Sequence, residues 1–334
     1  MVQIHRISQD NVPFESRDVF LSASVKTPEI LQPHLFETVR GIVHSFIQRA
    51  SPRIPLNFDP PAIDELKVEV LKELEEINLA LSLVKKWLTW SCQLVENFYP
   101  SFPVDLRVLI TLTLLIGFYV EDKVSKTPEA LHNFQLNILI GRPQPDEVLE
   151  CFSKVIMPRM WNQYHPIVAN AICIGIYEFI QGNAMEFLLK TIKHHPSAPE
   201  FPKYVRLKSG APAPLAYWLF YNIDDIKSYI QIMPDFFDAL NWINDILSFY
   251  KEEIDGEDNN FIHMRARATG KSIVTTLEET SEETIFVIQR ISETLSGVPE
   301  YLNIFEGFVA RYIRFHTSTT RYRLKELLMT ENCE

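Results

Sequence analysis

The chain has 334 residues, 46% of them hydrophobic and 22% charged, and carries a formal charge of −11. Proteins that grip duplex nucleic acid do so largely through lysine and arginine contacts to phosphate, so the absence of any basic run argues against that class. The four scattered cysteines, Cys92, Cys151, Cys173 and Cys333, contain no CxxC pair, which argues against a disulfide framework or a zinc site and fits a reduced cytoplasmic setting.

The opening MVQIHRISQD lacks the apolar core of a signal peptide. Pro13, Pro28, Pro33, Pro52, Pro55 and Pro60 punctuate residues 1–60, which read as an irregular segment with one helix near 35–49, packed on the rest. From Ala62 the run AIDELKVEVLKELEEINLALSLVKKWL has helical spacing. Leu66, Val70, Leu71, Leu74 and Ile77 form an apolar stripe opposite Glu and Lys, with Asp64 as the expected N-cap. The mostly apolar run 108–120, interrupted by Thr111, Thr113 and Gly117, is too short for a membrane span and reads as a buried helix.

Further helices are predicted over about 104–123, 127–140, 146–156, 165–193, 213–221, 234–253, 272–296, 299–317 and 320–329, with proline or glycine at most junctions. There is no alternating strand pattern and no fixed-period repeat. The expectation is an all-α fold in which residues 61–334 form one helical domain around a central apolar pocket.

The most informative segment is DALNWINDILSFYKEEIDGED. Asn244, Ser248 and Glu252 recur at four-residue steps, which stacks them on one helix face about 6 Å apart. Amide, hydroxyl and carboxylate oxygens are hard donors suited to magnesium, which keeps room for waters and phosphates. Lys251, beside Glu252, could reach a phosphate as a point charge. On spacing alone, an exposed polar stripe explains the pattern equally well.

NDILSFYKE also resembles the second metal-binding motif of class I terpene cyclases, (N/D)Dxx(S/T)xxxE. Its SFYKE is especially similar to trichodiene synthase and its fungal relatives. The resemblance covers roughly residues 100–330. It implies a class I terpenoid synthase bundle that binds magnesium, three ions in that family. It also implies a prenyl diphosphate substrate, most readily farnesyl diphosphate, ionised and cyclised to a sesquiterpene. Such an enzyme would be cytoplasmic and a monomer or homodimer.

Three other features fall in the family's order. Glu121 and Asp122 end the apolar helix where the family carries its aspartate-rich motif, and would be metal ligands. Glu121 stands for the first Asp and Ser125 occupies the place of the third acid, so the choice of main ligand stays open, with Asp122 expected to matter more. Arg206, followed by Ser209 and Gly210, matches a diphosphate-sensing arginine with its small-residue break. Arg321 and Tyr322 match an Arg-Tyr pair that would bind diphosphate alongside Arg206 and Lys251.

A cation-folding pocket calls for aromatic walls, because ring faces attract positive charge. Phe118, Tyr312 and Phe315 are the candidates by position. RATGKS is rejected as a phosphate loop because Arg265 stands where the pattern needs glycine. The adjacent pair His194–His195 points to different sides of a helix and is rejected as a shared metal site. Two other readings remain: a prenyl-elongating synthase, which would need two DDxxD motifs, and a degenerate or non-catalytic helical protein, which the departures at Glu121 and Ser125 would suit.

Overall fold

Leucine, valine and isoleucine at three- and four-residue spacing carry this chain from one helix to the next. The computed structural model describes residues 33–51, 59–122, 129–189, 192–193 and 195–329, and no strand occurs among them. Ser125, His194, Cys333 and most of the N-terminal segment lie outside the described residues. Helix α1, Pro33–Ala50, buries Val39, Val43, Phe46 and Ile47, and its Arg49 grips Glu282 through both guanidinium nitrogens.

The long helical run after Ala62 is two helices, α2 (Asp64–Glu76) and α3 (Leu81–Phe98). They part at Asn78, whose φ of 55° lies in the left-handed region. Asparagine tolerates that conformation better than the leucines around it. Leu66, Val70 and Leu74 are buried as the stripe requires, but Asp64 is the first helical residue, not the cap. Ile63 holds the cap position and makes no side-chain bond there.

Helix α4, Val104–Asp122, is buried on almost all sides, the expected fate of a helix that is apolar all round. Glu96 and Arg107 tie α3 to α4 in a partly buried ion pair. The predicted helix over 127–140 is broken into α5 (Glu129–His132) and α6 (Phe134–Leu139). That over 146–156 becomes α7 (Glu147–Cys151), capped by Asp146, followed by a π turn at Phe152–Ile156. After α8 (Met160–Gln163), α9 runs from Pro166 to Leu189.

A segment left unassigned by sequence forms α10, Phe201–Ser209, and is followed by α11, Pro212–Leu219. The break between them passes through Ala211 at φ 49°. Helix α9 lies close against this break: a Cβ on Gly182 would meet backbone atoms of Lys208 and Ser209 at 2.7–2.8 Å.

The remaining helices are α12 (Met233–Asp255), α13 (Phe261–Thr269), α14 (Ile273–Leu295), α15 (Pro299–Ser318) and α16 (Leu324–Leu328). The start of the predicted 320–329 helix is a single 3-10 turn, Thr320–Tyr322. Gly270, from the rejected RATGKS run, ends α13 at φ 70° and so serves as a helix stop. Phe98, the last residue of α3, and Tyr99, its C-cap, meet Phe308, Tyr312 and Phe315 of α15 in an aromatic cluster. This cluster joins the first helices to the last around the centre of the molecule.

Candidate active site

Where α10 ends, the chain must turn without losing Arg206 from its place. The Arg206 side chain reaches across to α12, donating from Nε to Asp245 Oδ1 at 2.7 Å and from NH2 to Asn244 Oδ1 at 2.9 Å. Burial works against the guanidinium's charge, but Asp245, Tyr312 and Glu252 outweigh it and raise its pKa. The Asp245 carboxyl is pushed up by the same burial and held back by Arg206. Its second oxygen has no hydrogen-bond partner.

Asn244 is the junction of the polar network. Its Nδ2 lies 3.1 Å from His316 Nε2, and the Tyr322 phenol stands beside it. His316 is fully buried. Its Nδ1 lies 2.8 Å from the Tyr312 carbonyl, and burial pushes its pKa down to about 4. Burial raises the Tyr322 phenol to about 12, with Arg321 opposing.

Arg321 lies over two rings, 5.1 Å from the centre of Trp90 and 5.6 Å from that of Phe118. Its NH2 is 3.9 Å from Glu121 Oε1. The 3-10 turn before α16 therefore brings Arg321 and Tyr322 to the same place as the ends of α4 and α10.

These groups border a cavity of about 270 Å³, close to the lower end of the roughly 300–1,000 Å³ usual for ligand pockets. Its polar lining includes Glu121, Arg206, Asn244, Arg321 and Tyr322. The rest is largely apolar and aromatic, with Phe98, Phe152, Phe179 and Trp218 beside Phe118, Tyr312 and Phe315. Phe152 opens the π turn, an irregularity frequent at functional sites.

The Asn244, Ser248 and Glu252 stripe on α12 lies partly outside this lining. Ser248 is buried, and its Oγ has no hydrogen-bond partner in good geometry. Burial pushes the Glu252 carboxyl up, and the Ser248 hydroxyl and Lys251 only partly oppose it. No group of three or more His, Cys, Asp or Glu side chains suited to a metal occurs among the described residues, so any ion here must use mixed oxygen donors. An amide, a buried hydroxyl without a well-formed hydrogen bond and a carboxylate form an all-oxygen set, and that set fits magnesium.

Two further expected site residues, like Ser248 and Glu252, do not line the cavity. Asp122 pairs with Lys86 of α3 and is not among the residues lining the cavity, whereas Glu121 is. Neighbouring helix positions point about 100° apart, and Glu121 continues the row of Leu114 and Gly117. Lys251 is drawn the other way, 2.7 Å from Glu257 and 3.7 Å from Asp255. The acidic run EIDGED that follows the motif supplies these partners.

Sequence reasoning missed His316, Trp90 and Asp245. Asp245 sits inside the motif already singled out, and His316 lies four residues after Tyr312, so helical spacing could have flagged both. Nothing local marks Trp90.

The family model described as Trichodiene synthase (TRI5) matches residues 84–333. Monoterpene synthase 25 of Postia placenta is 35% identical over 229 residues, covering 67% of this chain and 68% of that protein. Terpene synthase BipA of Cochliobolus sativus is 32% identical over 243 residues, 71% of this chain and 73% of that protein. Among solved structures, the linalool/nerolidol synthase from Streptomyces clavuligerus aligns with a TM-score of 0.60 at 14% identity, over 79% of this chain and 98% of that one. At that identity the likeness is one of fold.

Proposed function

The chain belongs to the trichodiene synthase family of terpene synthases, and from that footing we propose that it ionises farnesyl diphosphate and cyclises the resulting cation to a sesquiterpene, releasing diphosphate. One observation carries this reading. Arg206, Asn244, Arg321, Tyr322 and Glu121 form a polar edge on a cavity walled elsewhere largely by apolar and aromatic side chains. That is the arrangement needed to hold a charged head and a greasy tail at once.

Arg206 and Arg321 present planar guanidinium forks, which suit phosphate oxygens, and Tyr322 adds a hydroxyl donor. Asn244, Ser248 and Glu252 of α12, with Glu121 of α4, are the residues that would hold magnesium. When bound, magnesium would supply positive charge against the departing diphosphate. The apolar walls exclude water, which would otherwise quench a carbocation, and the faces of Phe118, Phe315 and Tyr312 offer negative potential to the migrating charge. Among the described residues no helix is long and apolar enough to cross a membrane.

Purified protein incubated with magnesium and farnesyl diphosphate should release diphosphate and yield volatile hydrocarbon or alcohol detectable by mass spectrometry. Geranyl diphosphate, run in parallel, tests whether the cavity prefers the shorter chain, the substrate class suggested by the name of the Postia placenta relative. Isopentenyl diphosphate tests for elongation. If neither prenyl diphosphate releases diphosphate in the presence of magnesium, the proposed function is wrong.

A further inference from the structure

We propose that His316 is a positioning residue for Asn244, holding its amide so that Oδ1, and not the NH₂ group, is presented to a cation. The inference rests on the reading above that Asn244 binds magnesium. The Tyr312 carbonyl can only accept, so the nitrogen facing it at 2.8 Å, His316 Nδ1, carries the ring hydrogen. Nε2 of the neutral ring then has a lone pair, and the Asn244 group 3.1 Å away must donate to it.

On the opposite side Arg206 can only donate, so the atom it meets at 2.9 Å is Asn244 Oδ1. In the resting site the amide is therefore fixed from both ends. That changes once Arg206 turns towards a diphosphate, because Oδ1 is released and one of the two constraints disappears. Tyr322 cannot replace it, since a hydroxyl both donates and accepts and so fits either orientation of the amide. His316 Nε2 accepts only and remains the group that discriminates.

The ring itself is well anchored. It is fully buried and surrounded by the rings of Tyr312, Phe315 and Tyr322 at centroid distances of 4.9, 5.5 and 4.3 Å. A side chain with so little freedom can hold its neighbour in one orientation. Hydrogen-bond partners behind a metal ligand typically contribute about 10–100-fold to metal affinity.

The test is calorimetric titration of inorganic diphosphate at a series of magnesium concentrations, with wild type, His316→Phe and His316→Gln. His316→Phe keeps a flat ring and removes the acceptor. It should raise the magnesium needed for half-maximal diphosphate binding by about tenfold while the melting temperature without magnesium stays near that of wild type. His316→Gln offers an amide oxygen to Asn244 and should recover most of the loss. If the phenylalanine variant does not fold, His316→Leu takes its place.

Unchanged magnesium dependence in the folded Phe or Leu variant would overturn the proposal. So would a Gln variant as impaired as Phe, because a loss that ignores the acceptor reports packing alone. If wild type itself fails to bind diphosphate with magnesium, the reading of the site as a metal–diphosphate centre fails first, and the two failures are told apart by that single control.

Discussion

Gly182→Ala should damage catalysis far more than stability. The added Cβ would stand 2.7 Å from the Lys208 carbonyl carbon and 2.8 Å from Lys208 O and Ser209 N. All three are backbone atoms, so no side chain can rotate away. Relieving the contact to an ordinary carbon separation of about 3.5 Å moves α9 and the α10–α11 break apart by roughly 0.8 Å. Overpacking of this kind costs about 1–3 kcal/mol, and the better helix propensity of alanine returns about 1 kcal/mol, leaving a net loss of roughly 0–2 kcal/mol. Lys208 and Ser209 end the helix that carries Arg206, however, and a displacement near 1 Å of a positioning group can cost on the order of 100-fold in rate. The assay is steady-state kcat/KM for farnesyl diphosphate with melting temperature measured alongside. Gly41→Ala is the control, because that helical glycine has nothing within 4 Å of its added Cβ. There the same change should stabilise by about 0.5–1 kcal/mol and leave turnover alone. If Gly182→Ala behaves like Gly41→Ala in both measurements, the close packing of α9 is not what places Arg206.

Glu121→Gln should reduce turnover more than Asp122→Asn, reversing the ranking expected from sequence, because Glu121 lines the cavity and Asp122 is paired with Lys86; steady-state kinetics decides it. Arg206→Met should lower kcat/KM by about 100-fold or more, and adding Asp245→Asn should restore melting temperature without restoring turnover, since Asp245 loses its guanidinium partner in the single variant. In the metal-free protein His316 should make stability fall with acidity. Its pKa is about 4 when folded against about 6.5 in an unfolded chain, so the unfolded state takes up the proton first and stability rises with pH across that window. Between about pH 7 and pH 5 the loss is roughly 2 kcal/mol, and denaturant titrations of His316→Phe should show it removed. Asp245 and Glu252, whose carboxyls are pushed up by burial, act with the opposite sign, which is why the variant and not the raw pH profile is the test.

Periodicity was enough to read the helical class and most helix positions, because buried apolar stripes repeat at the helical spacing. The α12 motif was legible for the same reason: Asn244, Ser248 and Glu252 occupy one face whatever surrounds the helix. What failed to show were choices made by single residues or by distant partners. Asn78 breaks a leucine-rich run through one left-handed turn, and nothing in the apolar spacing marks it. Lys251 is in the right place on the helix but is drawn away by Glu257, six residues further on. Glu121 and Asp122 are chemically interchangeable in sequence. Only the rotation of α4 against its neighbours decides which of them faces the cavity. His316 bonds to Asn244 across 72 residues of sequence, a contact no local pattern encodes.

These pairings share a logic that bears on how ligands enter. A buried or half-buried charge is costly unless it is paired, and the site's cations are paired internally: Arg206 with Asp245 and Arg321 with Glu121. Diphosphate can recruit Arg321 only by drawing it off Glu121, which leaves a carboxylate in need of positive charge. A metal ion that takes the Asn244 Oδ1 lone pair now facing Arg206 frees the NH2 group of that arginine for an anion, while its Nε stays on Asp245. Where each ligand frees the group that the other uses, their binding is positively coupled, and linkage makes that coupling reciprocal. Half-saturation with magnesium should occur at lower concentration when diphosphate is present, and the reverse should hold by the same factor. Two independent binding isotherms would mean that the internal ion pairs survive ligand binding, and that the guanidinium groups do not leave their carboxylates to reach the substrate.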